Sequence, residues 1–90
     1  MNERPTIPLA VALHYDKGKS AAPRVVAKGK GEIGNKIIET ARAHGVPIEA
    51  NASLAGALSD VEIGEEIPVE LYKAVAEVLV FILRLSGKLK

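Results

Sequence analysis

Apolar and polar residues alternate imperfectly from Leu9 to Tyr15, with Leu9, Val11 and Leu13 on one side and Ala10, Ala12 and His14 on the other. That period of two predicts a short, half-buried strand. Asp16-Lys17-Gly18-Lys19 has turn chemistry, and Arg24-Val25-Val26-Ala27-Lys28 predicts a second strand after Pro23. About seven residues link the two, which suits a loose hairpin of unreadable register. From Glu32 to His44 the period changes: Ile33, Ile37, Ile38 and Ala41 recur at three and four residues and predict a helix. Gly45 suits the position just past its end, and Pro47 prevents it from restarting. Val46 to Ala50 reads as a third brief strand, joined to the second by a right-handed crossover with parallel pairing.

Asn51 is placed to cap a helix over Ala52 to Ser59, with Leu54 and Leu58 facing inward. An acidic linker with Gly64 follows, and Pro68 suits the first turn of a long helix with Glu70 near its positive end. Leu71, Val75, Val78, Leu79 and Ile82 form its stripe, which Val80, Phe81 and Leu83 widen beyond what one face needs. The fold class predicted is α/β: a small mixed sheet of three to four short strands, one βαβ unit and about three helices. Residues 1–8 read as an N-terminal arm, 9–85 as the domain and 86–90 as a flexible tail.

Composition narrows what such a domain does. Ninety residues make one small core, and 48% hydrophobic with 26% charged residues is too apolar for a disordered tail. With no cysteine, disulfides, thiolate metal sites and cysteine nucleophiles are excluded. One Phe, two Tyr and no Trp make a poor base-stacking surface. The longest apolar run, Val78 to Leu83, is six residues, against about 20 for a membrane span. No secretory leader is legible, so the chain reads as cytoplasmic.

The net charge of +1 hides polarity. Residues 1–45 carry eight Lys or Arg against four acids, and residues 46–90 carry four against seven. Lys17, Lys19, Arg24, Lys28 and Lys30 follow one another without an intervening acid. Such a segment steers toward charged partners or is simply a solvated face.

Gly29-Lys30-Gly31-Glu32-Ile33-Gly34 matches G-x-G-x-x-G between a strand and a helix, with Glu49 twenty residues beyond Gly29. Glycines there would admit a pyrophosphate to the helix N-terminus. The fold that uses this fingerprint needs a broad parallel sheet, however, and this chain supplies about one βαβ unit. Turn and helix-start glycines are the plainer reading. A small nucleotide- or RNA-binding module using this turn and its lysines is the alternative function. His14 and His44 have no companions of metal-ligand spacing, and Ser20, Ser53, Ser59 and Ser86 have no activating motif. Glu62, Glu65 and Glu66 read as a solvated loop. No enzyme, cofactor or metal is indicated.

Four stretches taken together carry a resemblance. They are Leu9-Ala10-Val11-Ala12-Leu13-His14-Tyr15-Asp16, Ala22-Pro23-Arg24-Val25-Val26-Ala27-Lys28-Gly29, Val61-Glu62-Ile63-Gly64-Glu65-Glu66-Ile67-Pro68 and Leu71-Tyr72-Lys73-Ala74-Val75-Ala76. From about Leu9 to Leu85 the chain resembles the C-terminal cytoplasmic domain of the FlhB family, export-apparatus proteins of flagellar and type III secretion systems. That resemblance implies a domain that helps switch the class of exported substrate. Family members also cleave themselves after the Asn of an Asn-Pro-Thr-His loop. Here Arg4-Pro5-Thr6-Ile7 is the best alignable frame, with Arg4 where Asn should stand and Ile7 where His should stand. The attacking Asn side chain is missing, so no self-cleavage by that route is expected.

The chain thus reads as a stand-alone relative without the membrane domain. The function expected is a non-enzymatic, protein-binding component or regulator of flagellar or type III export. Its expected partners are export-apparatus proteins or export substrates and chaperones, with no nucleic acid and no membrane insertion, only peripheral association through the export gate. An incompletely covered sheet edge or a neighbouring groove is the expected docking feature. The residues singled out for partner binding are Lys17, Lys19, Arg24, Lys28, Lys30, Tyr72, Val80, Phe81 and Leu83.

Overall fold

The computed structural model describes residues 8–15 and 22–85. Strand β1 spans Leu9–His14 and pairs antiparallel with β2, Arg24–Lys30, from Leu9 opposite Lys30 to His14 opposite Arg24. The register slips once: Ala12 faces Ala27 while Leu13 faces Val25, so Val26 is an extra residue on β2. This bulge leaves Val25 fully buried and Val26 exposed. β2 runs two residues past the predicted Lys28 because Leu9 and Ala10 hold Lys30 and Gly29 in the ladder.

Helix α1, Glu32–Ala43, begins at Gly31, whose φ of 64° and ψ of −129° suit glycine. The Gly31 N–H donates to Pro8 O at 2.8 Å, tying the start of α1 to the entry of β1. Of the predicted apolar face, Ile37, Ile38 and Ala41 are half-buried, but Ile33 is largely exposed. α1 ends in a Schellman motif. Val46 N–H donates to Ala41 O at 2.8 Å and Gly45 N–H to Arg42 O at 3.2 Å, around Gly45 at φ 70°. The expected stop therefore has a geometric basis.

The third strand does not form. Among the described residues the sheet is two-stranded, and residues 46–50 are irregular. Pro47 has no N–H to donate, and residues 47–50 make no backbone hydrogen bond within the described residues. Among the described residues the arrangement is mixed α/β, with one antiparallel pair and three helices; the expected three to four strands and βαβ unit are not found there.

Helix α2, Ala52–Leu58, carries the predicted cap: Asn51 Oδ1 accepts the Leu54 N–H at 3.0 Å. Beyond it, residues 64–67 return to β2. Val25 N–H donates to Glu65 O (3.0 Å), Gly64 N–H to Val25 O (2.7 Å) and Ile67 N–H to Pro23 O (2.9 Å). Gly64, at φ 95°, makes the bend. A 3₁₀ turn over Val69–Leu71 then leads into α3, Tyr72–Leu85.

The core is where these pieces meet. Ala22, Val25, Leu58, Ile67 and Val75 are buried together, with Val11, Leu13, Leu54, Val61, Leu71 and Leu79 packed around them. Strand, α2, return segment and α3 each contribute, so α1 is the one helix that adds nothing to this cluster. Instead α1 packs across both strands, and α2 packs against β1. Among the described residues no helix is long and apolar enough to cross a membrane.

Candidate docking surface

The basic segment divides by role. Lys17 and Lys19 lie outside the described residues. Arg24 donates from Nη1 to Gly64 O at 2.6 Å and pairs from Nη2 with Glu66 Oε2 at 3.4 Å. Lys28 reaches further. Its Nζ donates to Ser59 O and Val61 O, both at 2.8 Å, in a part-buried position. It thereby satisfies carbonyls just past the end of α2, where a cation is favoured. These two cations bind the sheet to the acidic linker, and Lys30 stays exposed. The sequence pattern could not separate the three, because the partners of Arg24 and Lys28 lie 31 to 42 positions away.

The glycine fingerprint is filled from within the chain. A methyl on Gly34 would stand 2.8 Å from Pro8 O and 2.9 Å from Gly29 O, and one on Gly29 would collide with the Ile33 side chain. The Gly31 N–H, one of the donors a phosphate would need, is spent on Pro8 O. Gly29 and Gly34 therefore let strand, helix and chain entry approach one another, and no cradle is left between them.

A different surface is concave. Tyr15, Ala22, Pro23, Ile67, Tyr72, Val75, Ala76 and Leu79 line a groove of about 210 Å³. It lies where the return segment and α3 meet the entry to β2, and Tyr15 and Tyr72 are its exposed walls. Ala22 and Ala76 create the hollow because their short side chains leave space that larger neighbours border. Of the residues singled out by sequence, Tyr72 lines this groove. Val80 and Phe81, 41% and 50% exposed, lie further along α3 beside Lys73 and Glu77. The Leu83 side chain lies outside the described residues. Tyr15, Ala22, Pro23 and Ala76 were missed. The Ala-Pro pair before β2 and the alanines of α3 were the only local signal, and alanine on a helix ordinarily marks propensity rather than a hollow.

The sequence and the fold have counterparts among known proteins. The chain is 42% identical over 90 residues to the uncharacterized Bacillus subtilis protein YlqH, covering 97% of it. It is 46% identical over 76 residues to the flagellar biosynthetic protein FlhB of Aquifex aeolicus, of which it spans 22%. Its fold matches the cytoplasmic domain of FlhB from Shewanella putrefaciens with a TM-score of 0.80 at 39% identity, covering 83% of this chain and 63% of that one. The PscU C-terminal domain matches with a TM-score of 0.79 at 30% identity, covering 87% and 99%. Residues 5–82 match the model of the FlhB HrpN YscU SpaS family, and the chain belongs to that family.

Proposed function

We propose that this chain is a non-enzymatic, protein-binding component or regulator of flagellar or type III protein export, acting on the cytoplasmic side of the export gate. The observation that carries the reading is the family match over residues 5–82, in a chain whose fold follows the FlhB and PscU domains. Partners are export-apparatus proteins, or export substrates and their chaperones. The chain spans about a fifth of the FlhB proteins it matches, so a role for it within the apparatus is part of the proposal.

The groove between Tyr15 and Tyr72 is the docking surface, extended along α3 by Val80 and Phe81. Its size suits one or two apolar side chains of an incoming segment. Each 100 Å² of apolar surface buried there contributes up to about 2.5 kcal/mol before association costs. The direct test titrates the protein with the cytoplasmic parts of export-gate proteins and with exported substrates, beside an Ala76→Glu variant that fills the groove with charge. Binding below about 100 μM, or roughly −5.5 kcal/mol, that Ala76→Glu abolishes without unfolding the domain supports the assignment. If no export component binds and deletion leaves export unchanged, the assignment fails.

A further inference from the structure

Helix α3 is apolar on more sides than the domain covers. Leu71, Val75 and Leu79 turn toward the core, yet among the described side chains of α3 only Val75 is buried. A helix apolar on most sides is ordinarily enclosed on most sides. Away from the core, Lys73, Ala76, Glu77, Val80 and Phe81 recur at three and four residues and border one shallow surface. Val80 and Phe81 are exposed there, as is Val69 in the turn that leads into the helix. Lys73 and Glu77 stand four positions apart on this face, with the acid toward the C-terminus, the less favourable order for pairing within one helix. Neither makes an ion pair among the described residues.

We infer that this face of α3 pairs with the same face of a second copy, antiparallel about a two-fold axis level with position 75. The two charges select the occupant and its direction. Antiparallel pairing sets Lys73 of one copy against Glu77 of the other, and symmetry makes the contact twice. Parallel pairing would set lysine on lysine and glutamate on glutamate, which costs free energy. The same axis brings Phe81 of one copy level with Val69 of the other, so both exposed apolar residues are covered. Ala76 lies near the axis, and its short side chain lets the helices approach closely. Area fixes the strength. The 14 residues of α3 make a strip about 21 Å long and about 10 Å wide. That is smaller than the roughly 800 Å² each partner gives a stable complex, so the pair is transient and forms at high local concentration. The inference stands on α3 alone and does not rest on the export reading, although pairing hides Val80 and Phe81 from any other partner.

The test follows the full chain by sedimentation equilibrium and NMR as its concentration rises from about 10 μM to about 2 mM. A dimer should form with a dissociation constant between about 50 μM and about 1 mM. Lys73→Glu and Glu77→Lys should each weaken it at least about tenfold, because each sets like charges face to face, and the double variant should restore it to within about threefold. Both positions are exposed, so the melting curves of the variants should match that of the parent. In a mixture of labelled and unlabelled chain, intermolecular NOEs should run from the Phe81 ring to the Val69 methyls. The inference is overturned if the chain stays monomeric to about 2 mM, if the double variant fails to recover, or if intermolecular NOEs join Phe81 to Phe81, the mark of parallel pairing. A dimer that survives Phe81→Ser and both charge reversals would assign self-association to another face, and equally overturns it.

Discussion

Two glycines of this chain should respond to the same substitution with opposite sign. At Gly34 an added methyl meets the carbonyl oxygens of Pro8 and Gly29, both backbone, so neither can swing aside. Gly34→Ala should cost about 1–3 kcal/mol in urea unfolding. At Gly56, within α2, a methyl meets nothing within 4 Å. Gly56→Ala should therefore stabilise by about 0.4–1 kcal/mol through helix propensity and a less flexible unfolded chain. The lysine and arginine of β2 make a second contrast. Lys28→Met leaves Ser59 O and Val61 O without their donor and should cost roughly 1–2 kcal/mol. Arg24→Lys removes one arm of an exposed pair and should change stability by less than about 1 kcal/mol. Thermal melts of both variants would reverse this ranking if Lys28 were only a solvated charge.

At the level of elements, α3 should separate folding from binding. Val75 is 2% exposed in the core, and Val75→Ala should cost about 2 kcal/mol. Phe81 is half exposed, so Phe81→Ser should leave stability within about 0.5 kcal/mol while weakening capture by an export partner. Equal losses of stability in both variants would mean that the outer face of α3 is core. Elements with local signals were legible in the sequence: Gly45 and Pro47 closed α1, Asn51 opened α2, and a period of two placed β1. Residues 46–50 had strand-like composition, but Pro47 and the lack of a paired neighbour leave them irregular. Residues 64–67 had the opposite fate. Read as an acidic linker, they pair with β2, because pairing over some forty positions leaves no trace in local composition. The groove was half legible. Tyr72 stood out, while Tyr15, Ala22 and Ala76 become lining only once α3 meets the entry to β2.

For the whole molecule, the sequence before β1 predicts chemical inertness. Arg4-Pro5-Thr6-Ile7 lacks the Asn whose side chain the family's cleavage requires. Intact-mass spectrometry after prolonged incubation near pH 8 should show one species, apart from loss of Met1; a fragment beginning at Pro5 would contradict this. The return of residues 64–67 to β2 also has a consequence for synthesis. Val25 is made early and cannot be shielded until Ile67 and Val75 have followed it. For that interval the nascent strand presents an apolar surface that the finished domain hides. Contacts this distant in sequence also slow the search for the native state. A ribosome-bound chain halted before Gly64 would therefore be a substrate for chaperones, and emergence of residues 64–79 is the step that removes Val25 from their reach.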